Sequence, residues 1–258
     1  MGQVFANLLG SDELLFNFTC KWLKNGKSGL VQENPMTMGW RAAKQNFFPG
    51  LGLQLMMVGV IVLYFTQEGV KGYLDIVAGW KQAGGYRFSF IATAIAAGVL
   101  PEMIRWLVFQ KGQWRKENGT NLIFGILFWG VMGMMVDTLY RGQGILFGNE
   151  GDIGTVLCKV GVDMLGFTPF FAVPCSVILY RWKDTGYQGK AVLQAVRKKG
   201  FISRNVVPVI FACWAVWFPV VSVIYSMPAG LQIPVFVAAE AFWVLILTTM
   251  SEWQTKTV

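Results

Sequence analysis

Residues Thr155–Tyr180 read TVLCKVGVDMLGFTPFFAVPCSVILY. The stretch is long and apolar enough for a helix to cross a bilayer, which takes about 20 predominantly apolar residues. Yet it carries Lys159 and Asp163, with Phe167, Thr168 and Pro169 behind them. An ionised group facing lipid costs about 2.5–3.5 kcal/mol even on the lenient insertion scale. These charges must therefore face other protein or a water-filled cavity.

Other stretches have the same apolar character: Phe47–Thr66, Tyr86–Phe109, Leu122–Tyr140, Val206–Ser226 and Leu231–Ser251. The chain of 258 residues is 54% hydrophobic and 14% charged, whereas a soluble domain is about 25% charged. The expectation is an all-α polytopic membrane bundle of six helices, occupying 47–251. "MPAG" at Met227–Gly230 joins the last two spans as a tight hairpin, and "QEGVKGYLDIVAGWKQAGGY" at Gln67–Tyr86 reads as a long loop with some helical spacing. Ahead of the bundle, 1–46 reads as an N-terminal interfacial helix and linker, and 252–258 as a short tail. Within Phe5–Trp22 the apolar side chains Leu8, Leu15, Phe18 and Trp22 fall near one face. Asp12 and Glu13 interrupt that run, so the helix is expected to lie on the membrane or dock on a partner rather than cross. The N-terminus does not follow the signal-peptide pattern.

Lys and Arg set the orientation. The N-terminal segment holds Lys21, Lys24, Lys27, Arg41 and Lys44, and the stretch after the second span holds Lys111, Arg115 and Lys116. The stretch after the fourth span adds Arg181, Lys183, Lys190, Arg197, Lys198, Lys199 and Arg204. The opposite side has Lys71, Lys81, Arg87 and Arg141. The alternation predicts both termini on the cytoplasmic or matrix side of a bacterial cytoplasmic membrane or an organelle inner membrane. The net charge of +8 then belongs to basic loops, one of them a surface helix facing anionic headgroups, and nucleic acid is not an expected partner. The expected partners are the lipid bilayer and either a homo-oligomer or a larger membrane complex.

The sequence has no His, and its four cysteines form no C-x-x-C pair. With no paired-carboxylate motif at catalytic spacing either, neither a metal, a cofactor nor an enzymatic activity is expected. The candidate residues are charges within the spans. Asp137 lies towards the outer end of the third span, and the Lys159/Asp163 pair lies near the outer start of the fourth. Spacing of i,i+4 brings Lys159 and Asp163 to one helix face, and adjacency of the two spans predicts Asp137 opposite Lys159. Glu240 stands nine residues after Leu231, roughly 14 Å deep at helical rise. Together Asp137, Lys159, Asp163 and Glu240 line a pore or form a buried polar cluster. Glu102 and Arg105 form a secondary ion pair beside Pro101. Pro169 and Pro174 remove two backbone donors from the fourth span and predict a bend there.

The segment around Lys159 resembles the Mpv-seventeen/PMP-twenty-two family of peroxisomal and mitochondrial inner-membrane proteins. Lys159, Asp163, Phe167 and Pro169 stand at motif positions of that family, with Met164 and Thr168 replacing its Gln and Ala. Upstream, Gly133 and Tyr140 match, while Asp137 and Leu139 stand at its His and Trp. Downstream, an aromatic and Pro-rich span ends at Pro228, without the family's Gln, Asn and Arg. The likeness runs from Trp129 to Ser251 and is that of a divergent bacterial-type member. It implies a channel-like or small-solute passage protein contributing to membrane homeostasis. The alternative is a non-catalytic structural subunit of a larger membrane complex.

Overall fold

The structure is a computed structural model that describes residues 46–256 together with residues 36, 37, 40, 41 and 44. The helix expected over Phe5–Trp22 lies outside the described residues, as do 257 and 258. Among the described residues the fold is an all-α bundle in which six helices are long and apolar enough to cross a membrane. They are α1 (Phe47–Thr66), α2 (Glu68–Phe109), α3 (Lys116–Phe147), α4 (Ile153–Asp184), α6 (Ile202–Ser226) and α7, whose apolar part is Ala229–Ile246 within Ala229–Lys256. Between α4 and α6 lies the short helix α5 (Gly189–Val196). The chain is thus an integral membrane protein, with side chains such as Leu55, Val62, Leu127, Val131, Leu165 and Phe170 exposed where lipid would lie.

The expected loop over 67–86 is mostly helix. Gln67 alone separates α1 from α2, and the first part of α2 ends in a kink at Gly85 (φ 53°, ψ −129°). Only glycine adopts that conformation at little cost. Glycines at 69, 72, 79 and 84 disfavour a helix here. Packing overrides them: Val70, Leu74, Val77 and Ala78, all partly buried, and Lys81, buried, recur at helical spacing. Ala78 lies against Gly230 at the start of α7.

Helices α2 and α3 approach until their backbones touch. A Cβ on Gly98 would stand 2.7 Å from the carbonyl carbon of Gly125. A Cβ on Gly130 would stand 2.5 Å from the Phe90 ring, and one on Gly133 would overlap Thr93. Small residues permit this approach, and close van der Waals contact is what joins helices in lipid. Thr93 uses it to donate to the Trp129 carbonyl across the interface at 2.9 Å.

Proline shapes the local helix type. Segments Ala94–Val99, Arg105–Phe109, Val162–Ala172 and Ile202–Val206 are π-helical, and three of the four are followed closely by a proline: Ala94–Val99 by Pro101, Val162–Ala172 by Pro174 and Ile202–Val206 by Pro208. A proline has no donor for the preceding turn and crowds it, and the wider π turn relieves that crowding. In the i→i+5 register of Val162–Ala172 the Met164 carbonyl would face the nitrogen of Pro169, which has no hydrogen to give. Trp214 Nε1 on α6 donates to that carbonyl at 2.7 Å, so the site of the missing bond ties α4 to α6.

Helix α7 lies at the centre, packed against α1, α2 and α6. Leu231, Ile233, Val235, Phe236, Ala239, Trp243 and Val244 are all buried, on more than one face. Met227 and Pro228 alone separate α6 from α7, and the Leu231 amide donates to the Pro228 carbonyl at 2.8 Å. Lys183 donates to Asn121 and Asn118 to Glu102, which gathers the ends of α2 and α4 and the start of α3. This is the basic end of the bundle. The α3–α4 and α6–α7 connections meet at the opposite end, where a Cβ on Gly151 would stand 3.0 Å from the Ser226 carbonyl oxygen.

Candidate functional site

Helix α4 starts from Asp152, whose side chain accepts from the Thr155 amide at 3.1 Å. Hydrogen bonds from Thr155, side chain first and then backbone, hold the exposed Asp152 carboxyl below its ordinary pKa. One turn further, Lys159 is fully buried. Its ammonium donates to Asn149 Oδ1 at 3.5 Å and lies 5.9 Å from the centre of the Tyr225 ring. Gln143 donates to its backbone carbonyl at 3.3 Å. Asp163 is also buried; it accepts from the Tyr225 hydroxyl at 2.8 Å and from Thr168 at 3.3 Å.

Lys159 and Asp163 both point into the bundle without forming an ion pair. The reason is local. Lys159 belongs to the α-helical start of α4, and π winding begins at Val162. The i,i+4 geometry that would join them applies to a continuous α-helix. Tyr225 stands between the two charges instead: its ring faces Lys159 and its hydroxyl holds Asp163. Tyr140 packs on Tyr225 with ring centres 4.9 Å apart and reaches Phe236 on α7 at 6.3 Å.

Asp137 does not face Lys159. Its carboxylate accepts from Lys81 at 2.7 Å and Ser89 at 2.7 Å on one oxygen, and from Arg141 at 3.0 Å on the other. Lys81 also donates at 3.3 Å to the carbonyl of Gly85 at the kink. The Arg141 guanidinium lies 4.6 Å from the Tyr86 ring centre. The kink is what turns Lys81 and Ser89, on either side of it, towards one carboxylate.

Glu240 occupies the middle of α7 and is 1% exposed. Its Oε2 has no hydrogen-bond partner among the described residues, nor has the indole nitrogen of Trp243 one turn away. The neighbouring interior contains Trp129, which donates to the Tyr180 hydroxyl at 3.0 Å. Phe124 and Phe128 pack edge-on against Tyr180 at 5.1 and 5.3 Å, contacts worth about 0.5–1.5 kcal/mol each beyond burial. An orphaned carboxyl oxygen in so enclosed a place is costly, about 1–3 kcal/mol. Such groups are the first to examine for function.

The chain matches no known family model, no curated protein and no solved structure.

At the basic end, Arg105 pairs with Glu102 at 2.9 Å and Asn118 donates to the other carboxylate oxygen at 2.6 Å. Asn118 in turn accepts from the Arg115 amide at the start of α3. This group fixes the α2–α3 joint. Among the motif residues, Gly133 sits at the tight α2–α3 contact and Tyr140 is buried. Phe167 packs on Phe171 at 5.2 Å, and Pro169 lies inside the π segment. Pro228 forms the hairpin joint.

Sequence reasoning missed Lys81, Ser89, Gln143 and Tyr225. Lys81 carried a signal, since it continues the apolar face of Leu74, Val77 and Ala78 at helical spacing. Tyr225 lies in a long apolar run and carried none.

Proposed function

We propose that the chain is a channel-like, small-solute passage protein contributing to membrane homeostasis, and a divergent member of the Mpv-seventeen/PMP-twenty-two family. Its termini lie on the cytoplasmic or matrix side, and it is not an enzyme. The observation that carries the passage reading is the Glu240 carboxyl, buried in the central helix with Oε2 unpartnered. A carboxyl kept there without a partner has no evident packing role, and a passing solute or proton would supply the missing bond. Asp163 and Lys159 are further buried charged groups, nearer the opposite end from the basic loops, that do not pair with each other.

One observation favours the structural-subunit alternative for part of the site. Asp137 with Lys81 and Arg141, and Glu102 with Arg105 and Asn118, are satisfied groups that join helices. Conductance of the purified protein in planar bilayers tests the two readings. Passage predicts single-channel events whose size or ion preference changes in Glu240→Gln and Asp163→Asn. A folded protein that conducts nothing, across solutes of both charge signs and neutral osmolytes, leaves the subunit reading.

A further inference from the structure

We propose that the basic end of the bundle carries a site for an anionic phospholipid headgroup, built by Arg181 and Arg204 over the turn at Gly200 and Phe201. This site is separate from the interior carboxylates and does not depend on the passage reading.

The turn at Gly200 and Phe201 carries a cation on each of its two residues. Arg181 lies in the last turn of α4, and α5 packs back on that segment. Gly200 then takes a positive φ of 83°, which reverses the chain and buries Phe201. The Arg181 guanidinium carbon lies 6.0 Å from the centre of the Phe201 ring. Its Nε is shielded from solvent and has no hydrogen-bond partner among the described residues. Arg204 folds back over the preceding residue: a Cβ on Gly200 would stand 3.5 Å from its Nε. Two guanidinium groups thus cover consecutive residues of one turn.

No acid of this loop answers them. Between Arg181 and Arg204 the only acidic residue is Asp184, which stands 3.9 Å from Lys183. Lys183 itself is directed to Asn121 at 2.9 Å. Arg197, Lys198 and Lys199, all exposed, add further positive charge just before the turn. Two guanidinium groups on one turn, with no acid of that loop beside them, offer an anion a site, and guanidinium forks suit phosphate oxygens.

The surroundings select a lipid over a soluble anion. Ile202 is 67% exposed and Leu193 50% exposed on the same basic segment. Trp182 and Tyr187, also exposed, pack edge-on at 4.9 Å. Aliphatic side chains bare to the outside among cations, with Trp and Tyr beside them, mark the level where hydrocarbon meets headgroups. An anionic phospholipid satisfies both halves: its phosphate meets Arg181 and Arg204, and its acyl chains cover Ile202 and Leu193. A free phosphate satisfies only the first half.

The test uses the full-length protein in detergent micelles, titrated with phosphatidylglycerol or phosphatidylcholine and read by native mass spectrometry. Phosphatidylglycerol should be retained in preference to phosphatidylcholine. Arg181→Gln and Arg204→Gln should each weaken its binding about five-fold, the effect of one cation near an anionic headgroup. Lys190→Gln, an equal loss of charge at the far end of α5, should weaken it less than two-fold. Gel filtration reports whether Arg181→Gln folds; if it does not, Arg204→Gln, on an exposed side chain, decides alone. Equal retention of the two lipids overturns the proposal. So does a Lys190→Gln effect as large as that of Arg204→Gln. Displacement of phosphatidylglycerol by equimolar inorganic phosphate overturns the lipid assignment.

Discussion

Removing Asp137 should damage this protein more than removing either of its cationic partners. The carboxylate side chain is 2% exposed and that of Lys81 is 8% exposed, while Arg141 is 48% exposed. Asp137→Ala strips Lys81 of its counter-charge in a buried place, which costs about 3–5 kcal/mol. Lys81→Met leaves Asp137 held by Ser89 and Arg141 and loses one charge-assisted bond, about 1.5–3 kcal/mol. Arg141→Ala removes a half-exposed partner, for which about 0–1 kcal/mol is the usual range. The double change Lys81→Met/Asp137→Leu removes both charges, so no ion is left stranded, and it should cost less than Asp137→Ala alone. Denaturant unfolding in micelles, followed by tryptophan fluorescence, gives each value and closes the double-mutant cycle. Strict additivity of the two single changes would refute the claim that the pair, rather than each group separately, carries the stability.

Gly133→Ala should loosen the α2–α3 contact, because the new methyl overlaps Thr93; about 1–3 kcal/mol of overpacking, read in the same unfolding assay, is expected. Asp163→Leu strands the Tyr225 hydroxyl, whereas Glu240→Met strands no described donor, so the first should be less stable by about 1–3 kcal/mol. Asp152 has a depressed pKa, so its cap is present above the ordinary carboxylate range and is lost as pH falls through the folded value. The protection of the Thr155 amide, its exchange rate taken relative to the intrinsic rate at each pH, should therefore fall at low pH in the native protein and stay level in Asp152→Asn, which caps without titrating. Cysteines placed at Lys190 and Glu150 in a cysteine-free background should label from opposite sides of the membrane; labelling from one side would overturn the orientation.

The helical spans were legible because each is a long apolar run, a signal that depends only on composition and length. The first part of α2 was not, since its glycines argue for a loop and only contact with the bundle makes it a helix. The same segment supplies Lys81, so the partner of Asp137 was hidden along with the element that carries it. Helix spacing correctly grouped Glu102 with Arg105, both within ordinary reach. It failed for Lys159 and Asp163, where π winding starts between them. The sequence shows the prolines, but whether a proline kinks, widens or merely starts a helix depends on neighbours such as Trp214.

The central position of α7 has a consequence in time. A chain made from its N-terminus delivers this helix after the other five described spans, at about 5–20 residues per second. Until it arrives, α1, α2 and α6 have no partner along the faces that later enclose Phe236, Glu240 and Trp243. Assembly of the interior must therefore wait until α7 has been made, with earlier helices already in the bilayer and holding that place open. A ribosome that stops at Pro228 would release the other five described spans without the helix that α1, α2 and α6 pack against, so a chain cut there should be a substrate for membrane proteolysis rather than a shortened working protein.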